Sequence, residues 1–443
     1  MLPKIVDLFS GCGGLALGFE KAGFDIAAGI ELMPEAYKTI SYNLSWRYGK
    51  KENHICGDIT DIDASVIKKQ LDGDDCIVIG GPPCQAYSIA GRGKLKSLGE
   101  DRINTKDSRG YLYQDFLRFV YDLDAKAAIM ENVPESVNYG GKNIPEIVCE
   151  DLSDHGYNCY WTILNSADYG VPQIRERVFI FAIKKDIAEE VELPVPTNTS
   201  SDEYLTYHQK QFQNFKQCNY FREPVCAADN LKPWTTVGDA FSDLPVLFPN
   251  SGIKYRAVPL NIEYPYSSAV ENDFQKIMRT WYGEEISGVT GNSFRKNLRD
   301  FPIFEKMKQG DNYLDAVEIA EELFRNEVKI FGYEENSVEY RRLYKKMVPQ
   351  YSKENFENKW KKLDEKKLSH TVVAHLEKDT YSHIHPWEPR GISVREAARI
   401  QSFPDDFYFD CTMGNAYKQI GNAVPPLLAL GVAKAVYNTF KEK

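Results

Sequence analysis

The sequence predicts an α/β protein with a doubly wound, mostly parallel sheet, and three observations carry this prediction. Between residues 4 and 185, short apolar runs alternate with amphipathic stretches, as in consecutive βαβ units. A glycine-rich turn at 11–14 separates the first apolar run from the first amphipathic stretch. Another apolar run, Cys76–Gly80, is followed closely by two prolines, which cannot continue a central strand. Cys84 should therefore lie at the carboxyl edge of the sheet, where such folds bind ligands.

The individual elements follow from periodicity. Apolar runs predict strands at 5–9, 26–30, 76–80, 127–130 and 177–183, and helical spacing predicts helices at 15–22, 35–44 and 114–123. Near the C terminus, Ser393 and Glu396 form a capping box that predicts a helix. The segment 424–440 carries two prolines in its first turn and predicts the last helix.

Composition divides the chain into two domains. Its 443 residues exceed what one ordinary core accommodates, and residues 197–385 are rich in Tyr, Asn, Lys and Glu with few periodic segments. We therefore expect a first domain at 1–185, an inserted, smaller and irregular domain at 186–385, and a C-terminal segment at 386–443 that returns to the first domain.

Bulk properties limit the class of protein. A hydrophobic content of 43% and a charged content of 27% are typical of a soluble globular protein. We expect no apolar run long enough for a membrane span. The N terminus lacks the layout of a signal peptide. Nine cysteines without a Cys-x-x-Cys pair argue against a disulfide framework and a structural zinc site. We expect a cytoplasmic protein that uses no metal.

The charge of the chain does not decide whether it binds nucleic acid. The net charge of −10 argues against nucleic acid, but basic residues outnumber acidic ones at 341–367 and recur at 92–109. Such runs are commonly solvated surfaces, so composition alone does not choose between a DNA-binding surface and an ordinary one.

Several reactive side chains should meet at the carboxyl edge of the sheet. Cys84 is a candidate nucleophile, the alternative being an inert buried thiol. Glu131 ends a predicted strand, although a solvated loop glutamate would look the same. Gln173, Arg175 and Arg177 alternate before the last predicted strand and should share one face. A guanidinium beside a glutamate can orient that acid and bind a polar base edge.

A second group of residues points to an adenosine-containing cofactor. The turn at 11–14 suits either a cofactor loop or a simple tight turn. Glu31 ends the second predicted strand, where a carboxylate can hold ribose hydroxyls. Asp58 could accept a hydrogen bond from an adenine amino group or could cap a helix.

These pieces, in this order, resemble the cytosine-C5 DNA methyltransferase family. The motifs that carry the resemblance are Pro83-Cys84-Gln85, Glu131-Asn132-Val133, Gln173-x-Arg175-x-Arg177 and Gly421-Asn422. They cover the first domain and the C-terminal segment but little of 185–365. The resemblance implies a Rossmann-like S-adenosylmethionine-dependent methyltransferase fold with an inserted target-recognition domain. It also implies a DNA (cytosine-5-)-methyltransferase that yields S-adenosylhomocysteine.

The resemblance gives each reactive residue a role. Cys84 would add to C6 of a flipped cytosine, which makes C5 nucleophilic, and Glu131 would be the acid at N3. Arg177 would bind O2 of the base, supported by Arg175 and Gln173. Other positions match residues that touch DNA around the vacated stack, namely Gln85, Ser88 and Arg92.

The resemblance also places the cofactor. The implied S-adenosylmethionine pocket comprises Phe9, Gly11, Cys12, Gly14, Glu31, Leu32, Asp58, Ile59, Leu112, Asn422, Ala423 and Val424. Leu32 stands where some relatives carry tryptophan, so aliphatic packing would replace stacking on the adenine.

The implied partner is double-stranded DNA, bound by a monomer that protects host DNA in a restriction-modification system. A cognate endonuclease would be encoded nearby without being stably bound. The alternatives are the same chemistry on tRNA, which a long variable domain disfavours, and a catalytically silent DNA-binding relative, which Cys84, Glu131 and Arg177 disfavour. A nicotinamide oxidoreductase would not explain Pro83-Cys84, and an amino-methylating DNA enzyme would need Asn or Asp at Gly81.

Overall fold

The computed structural model describes residues 2–83, 112–200, 206–226, 231–247, 259–296, 299–350 and 359–441. Within it the chain forms two compact units, one of Met1–Trp234 with Ala423–Lys443 and one of Thr235–Asn422. The functional boundaries expected at 185/186 and 385/386 stay predictions. Cys84, Gln85, Ser88 and Arg92 lie outside the described residues.

A seven-stranded sheet forms the centre of the first unit. Its strands are β1 (Lys4–Leu8), β2 (Ile26–Glu31), β3 (His54–Cys56), β4 (Cys76–Gly80), β5 (Ala127–Asn132), β6 (Tyr157–Asn165) and β7 (Glu176–Lys184), in the order β3-β2-β1-β4-β5-β7-β6. The neighbours from β3 to β5 are parallel, whereas β7 runs antiparallel to β5 and β6. The predicted mostly parallel sheet is confirmed, with β3 and β6 as strands that were not predicted.

The strand order reverses at β1, which lies between β2 and β4. Open α/β sheets bind ligands at such a reversal, outside the carboxyl ends of the strands. The two central strands approach closely there, since a Cβ at Gly80 would lie 2.2 Å from the carbonyl oxygen of Leu8. The reversal therefore falls between the glycine-rich turn after β1 and the Gly81-Pro82-Pro83 segment after β4.

Helices and two short strands complete most of the first unit. They are α1 (Gly14–Lys21), α2 (Pro34–Leu44), α3 (Ala64–Leu71), α4 (Leu112–Asp122), α5 (Ile144–Asp154), α6 (Phe212–Phe215), β8 (Asn198–Thr199) and β9 (Lys232–Pro233). The buried faces of β1, β4 and β5 pack with α4 and α5 in one apolar core.

The second unit contains mostly helices and irregular segments. Its elements are α7 (Val237–Phe241), β10 (Tyr264–Pro265), α8 (Asp273–Arg279), β11 (Gly288–Val289), α9 (Phe301–Lys306), α10 (Tyr313–Phe331), α11 (Val338–Met347), α12 (Val394–Ile400) and α13 (Met413–Asn422). The rings of Phe304, Trp360 and Tyr381 contact one another edge to face in its core. The predicted capping box is present at the start of α12.

The last helix, α14 (Pro426–Lys441), packs against α1 in the first unit. A Cβ at Gly18 would lie 2.4 Å from the Cβ of Ala429, so this glycine lets the two helices approach closely. By length and hydropathy alone the stretch Met413–Lys441 could cross a membrane, contrary to the expectation that no such run exists. However, 72% of its most apolar window is buried in the protein, as in a core helix.

Candidate active site

The ends of two neighbouring strands bring Glu131 and Arg177 together. Because β5 and β7 are antiparallel, the first residues of β7 lie beside the last residues of β5. The Nε of Arg177 lies 2.9 Å from Oε1 of Glu131, and the two side chains are only 13% and 14% exposed. The carboxyl edge of the sheet therefore holds an acid in a fixed orientation beside a guanidinium.

Opposing effects act on Glu131. Burial raises the pKa of its carboxyl, and the charges of Arg177 and Arg175, with the hydrogen bond from Arg177, lower it. Burial dominates, so the pKa of Glu131 is raised above its ordinary value. This carboxyl keeps its proton to a higher pH than an exposed glutamate, which suits a general acid.

The segment that leads from β4 to Cys84 passes directly beside Glu131. A Cβ at Gly81 would lie 2.8 Å from Oε2 of Glu131, so only glycine fits without moving the acid. Pro83 is the last described residue before Cys84. Sequence reasoning did not assign Gly81 to the site, although the Gly-Gly pair before Pro-Pro was a usable signal of close approach.

Gln173 and Arg175 precede β7 and are buried. Ser166 fixes this segment, since its Oγ donates to the Gln173 carbonyl at 3.0 Å and its backbone N–H donates to the Arg175 carbonyl at 2.9 Å. Nη2 of Arg175 donates to the carbonyl of Ala423 at 3.0 Å. Arg175 therefore ties the segment before β7 to the chain that leads into α14.

On the other side of the strand reversal, Glu31 binds the glycine-rich turn. Its Oε2 accepts a hydrogen bond from the backbone N–H of Gly11 and its Oε1 accepts one from that of Met33, both at 2.7 Å. The turn needs unusual backbone angles, with φ of 57° at Phe9 and Gly11 and 94° at Gly13. A carboxylate at the end of β2 thus holds this strained turn in place.

Asp7, which sequence reasoning did not assign to the site, is buried next to Glu31. Its Oδ2 has no hydrogen-bond partner among the described residues. Burial and the charge of Glu31 raise its pKa well above the ordinary value, while the Ser10 hydroxyl lowers it. Leaving a buried carboxyl oxygen without a donor is costly, so this atom suits a ligand that brings a donor. A Cβ at Gly11 would meet no described atom within 4 Å, which leaves room beside the turn.

The remaining cofactor candidates are spread around this centre. Asp58 is exposed, and its Oδ1 accepts hydrogen bonds from the backbone N–H and hydroxyl of Thr60, which hold its pKa below the usual range. Asp58 therefore does cap a helical turn, as its alternative interpretation stated. Ile59 is buried and its carbonyl accepts from Nη2 of Arg118 at 2.8 Å, whereas Leu32 is 58% exposed.

Six more candidates lie at or next to the ends of helices. Cys12 and Gly14 are buried at the start of α1, and Leu112 begins α4. Ala423 and Val424 are buried in the first unit, whereas Asn422 ends α13 in the second unit.

One group of side chains in the described part of the chain has metal-ligand character, namely His385, Glu388 and Glu396 in the second unit. Arg390 already donates to both carboxylates, at 2.7 to 2.8 Å. Burial raises the pKa of Glu396, but the charges of Arg390 and His385 and the hydrogen bonds from Arg390 and Ser393 together outweigh burial and hold the pKa at about 2. Because Arg390 binds both carboxylates, we assign these three side chains a structural role within the second unit.

Comparison with known proteins decides the family. The model of C-5 cytosine-specific DNA methylases matches residues 3–438. The chain belongs to this family. It is 53% identical to M.OihORF3336P of Oceanobacillus iheyensis, over 98% of this chain and 95% of that protein. The name of that protein assigns it, by inference, to the type II methyltransferases. It is 30% identical to the type II methyltransferase M.AgeI of Thalassovita gelatinovora, over 98% and 99% of the two chains.

A solved structure has the same fold. A prophage-encoded protein of E. coli, described by inference as a DNA modification methyltransferase, aligns with a TM-score of 0.64 at 22% identity. The alignment covers 99% of this chain and 100% of that one. This likeness supports the S-adenosylmethionine-dependent methyltransferase fold expected from the sequence.

Proposed function

We propose that this methyltransferase modifies C5 of a flipped cytosine in one specific duplex DNA sequence, through a covalent bond between Cys84 and C6. The Glu131–Arg177 pair is the observation that carries the proposal. The pair lies at the carboxyl edge of the sheet, and Glu131 is beside Gly81, which precedes Cys84 by three residues.

The chemistry follows from what cytosine lacks. C5 is too weak a nucleophile to accept a methyl group, but attack of the Cys84 thiolate on C6 turns the ring into an enamine. The electron pair of the ring then moves toward N3, where Glu131 donates its proton. Arg177 binds O2 of the base and keeps Glu131 in place. After transfer, the N3 proton returns to Glu131 and C4=N3 re-forms. A base then removes the C5 proton, C5=C6 re-forms and the Cys84 sulfur leaves as a thiolate.

The residues around Asp7 and Glu31 fit an adenosine-containing methyl donor. When bound, S-adenosylmethionine supplies the methyl group. The carboxylate of Glu31, at the end of β2, can accept from a ribose hydroxyl as well as hold the turn. The unpartnered oxygen of Asp7 can accept from an ammonium group, and Asp58 from an adenine amino group. Phe9, Gly11, Cys12 and Gly14 would shape the wall of this pocket.

The relatives point to a biological role. Those compared above carry the name type II methyltransferase, and we infer that this chain protects host DNA in a restriction-modification system. It would act as a cytoplasmic monomer, with its endonuclease encoded separately.

The test is to express the chain in a host that lacks DNA methylation, sequence the genome after bisulfite treatment and hydrolyse a sample to nucleosides. We expect protected cytosines within one short sequence and 5-methylcytosine by mass spectrometry. Cys84→Ser should abolish both signals. N4-methylcytosine, or protection that survives in Cys84→Ser, would overturn the proposal.

A further inference from the structure

The basic stretch at 341–367 contains side chains with different functions. Lys362 is buried, and its Nζ donates to the carbonyls of Phe304 and Met307 at 2.8 and 2.9 Å. Lys359 lies 3.9 Å from a carboxylate oxygen of Asp379, and Lys367 lies 3.4 Å from Asp364. These three lysines therefore make their contacts within the second unit itself.

Helix α11 carries four other cations, and all are exposed: Arg341, Arg342, Lys345 and Lys346. Within the described part of the chain, none of these side chains forms a hydrogen bond or an ion pair. At about 100° per residue the four occupy one face of roughly 140°. We call it the α11 basic face.

The opposite face of α11 is apolar and fixes the helix. Tyr340 and Tyr344 contact the ring of Phe324 on α10 edge to face, with centroids 4.9 and 5.1 Å apart. Leu343 and Met347 pack against the same core. Because the apolar face is anchored, the basic face is held outward and does not turn freely. The exposed Val338 lies within it, by helical spacing.

We propose that the α11 basic face binds the phosphate backbone of duplex DNA. This inference rests on the proposed function and adds the element that contacts DNA. A chain with a net charge of −10 must meet a polyanion through a local concentration of positive charge. From Arg341 to Lys346 the helix rises about 7.5 Å, while one DNA strand carries a phosphate about every 3.4 Å along the axis. The four side chains can therefore reach at least two phosphates.

Contacts of this kind position a protein without reading sequence. The inference therefore predicts a contribution to affinity that is the same on any duplex, and no effect on the choice of cytosine. An ordinary solvated surface, or the acidic side of α10 in a second copy of the chain, is the competing explanation for the four cations.

The test compares two variants of equal charge. One is Arg341→Gln/Arg342→Gln/Lys345→Gln/Lys346→Gln on α11. The control changes four exposed lysines of the first unit, Lys51→Gln/Lys68→Gln/Lys69→Gln/Lys434→Gln. Affinity for a fluorescent duplex of arbitrary sequence is measured by anisotropy from about 50 to 200 mM NaCl, where log K falls with log salt by about 0.9 per phosphate contact.

We expect the α11 variant to bind more weakly and to lose about 2 to 4 from this slope. The control should keep the slope of the wild type, and kcat at saturating DNA should stay unchanged in both. The inference would be overturned if the α11 variant kept the salt slope of the wild type, or if both variants lost the same affinity. It would also be overturned if the α11 variant differed from the wild type only in its sedimentation, that is, in its oligomeric state. The proposed function would survive if the wild type still methylated cytosine. Loss of slope without any cytosine methylation would instead support DNA binding and refute the proposed function.

Discussion

The Nε of Arg177 lies 2.9 Å from Oε1 of Glu131, and the direction of β7 produces this contact. Were β7 parallel to β5, its first residues would lie at the opposite edge of the sheet. The antiparallel strand instead returns Arg177 to the edge where Glu131 and Gly81 lie. A buried acid with a raised pKa is thereby held in a fixed position, and its proposed role as the proton donor to N3 can be tested.

Replacing Glu131 by Gln should lower kcat by roughly 10²- to 10⁴-fold, because the amide keeps the shape of the carboxyl but has no acidic proton to give. Kd values for DNA and S-adenosylmethionine should change little. Single-turnover methylation and equilibrium binding separate the two effects. Glu150→Gln, on the exposed side of α5, is the matched control. A kcat within a factor of about two of the wild type would rule out Glu131 as the acid.

The dependence of kcat on pH should follow the ionisation of Glu131. Since the acid must be protonated, kcat should fall as pH rises through the raised pKa of Glu131. The positive charge of Arg177 lowers that pKa, so Arg177→Gln should move the alkaline limb to higher pH even though it also lowers kcat. Rates at saturating substrates between about pH 5 and 9 measure this shift. A limb that stays in place or moves to lower pH would contradict the assignment.

Gly81→Ala should damage catalysis more than stability. The added methyl group would lie 2.8 Å from Oε2 of Glu131, and the carboxyl would have to leave its position beside Arg177. We expect kcat to fall by about tenfold or more, equivalent to about 1.4 kcal/mol, with cofactor binding retained. Gly414→Ala is the control, because its Cβ would make an ordinary contact at 3.5 Å with Glu377. Equal kcat values for the two variants would show that Gly81 does not position the acid.

Asp7→Asn should change how stability depends on pH. A carboxyl whose pKa is raised by folding stabilises the protein at low pH, and that contribution is lost as pH rises toward the folded-state pKa. Asn stays neutral, so the Tm of the variant minus that of the wild type should increase from about pH 5 to pH 8 in the absence of cofactor. Calorimetry should also show weaker binding of S-adenosylmethionine. If the difference in Tm instead became smaller as pH rises, the Asp7 carboxyl would not be a buried group with a raised pKa.

The sequence predicts much of the catalytic sheet because its central strands are continuous apolar runs, as expected for strands buried on both faces. β6 was missed because Asn158 and Thr162 interrupt its apolar character, and β3 because it has only three residues. The direction of β7 leaves no local signal, so the sequence predicted that Glu131 and Arg177 would meet but not the antiparallel pairing that brings them together. Asp7 was not assigned to the site because an acid within an apolar run does not by itself indicate burial.

The second unit was harder to predict. The 19-residue helix α10 lies within a region expected to be irregular, since its long apolar face is mixed with many acids. The basic stretch at 341–367 could not be sorted from sequence either. Lys362 points inward while Lys345 and Lys346 point to solvent, and only the packing of α11 on α10 separates them.

The central claim is that Cys84 forms a covalent bond with C6 of cytosine. The most direct measurement uses a duplex with 5-fluorocytosine at the target position and S-adenosylmethionine, because fluorine at C5 blocks the proton loss that releases the sulfur. We predict a complex that survives denaturing electrophoresis, with the adduct on the peptide containing Cys84 and no complex for Cys84→Ser. An adduct on another residue, or no adduct from protein that methylates the unmodified duplex, would contradict the account.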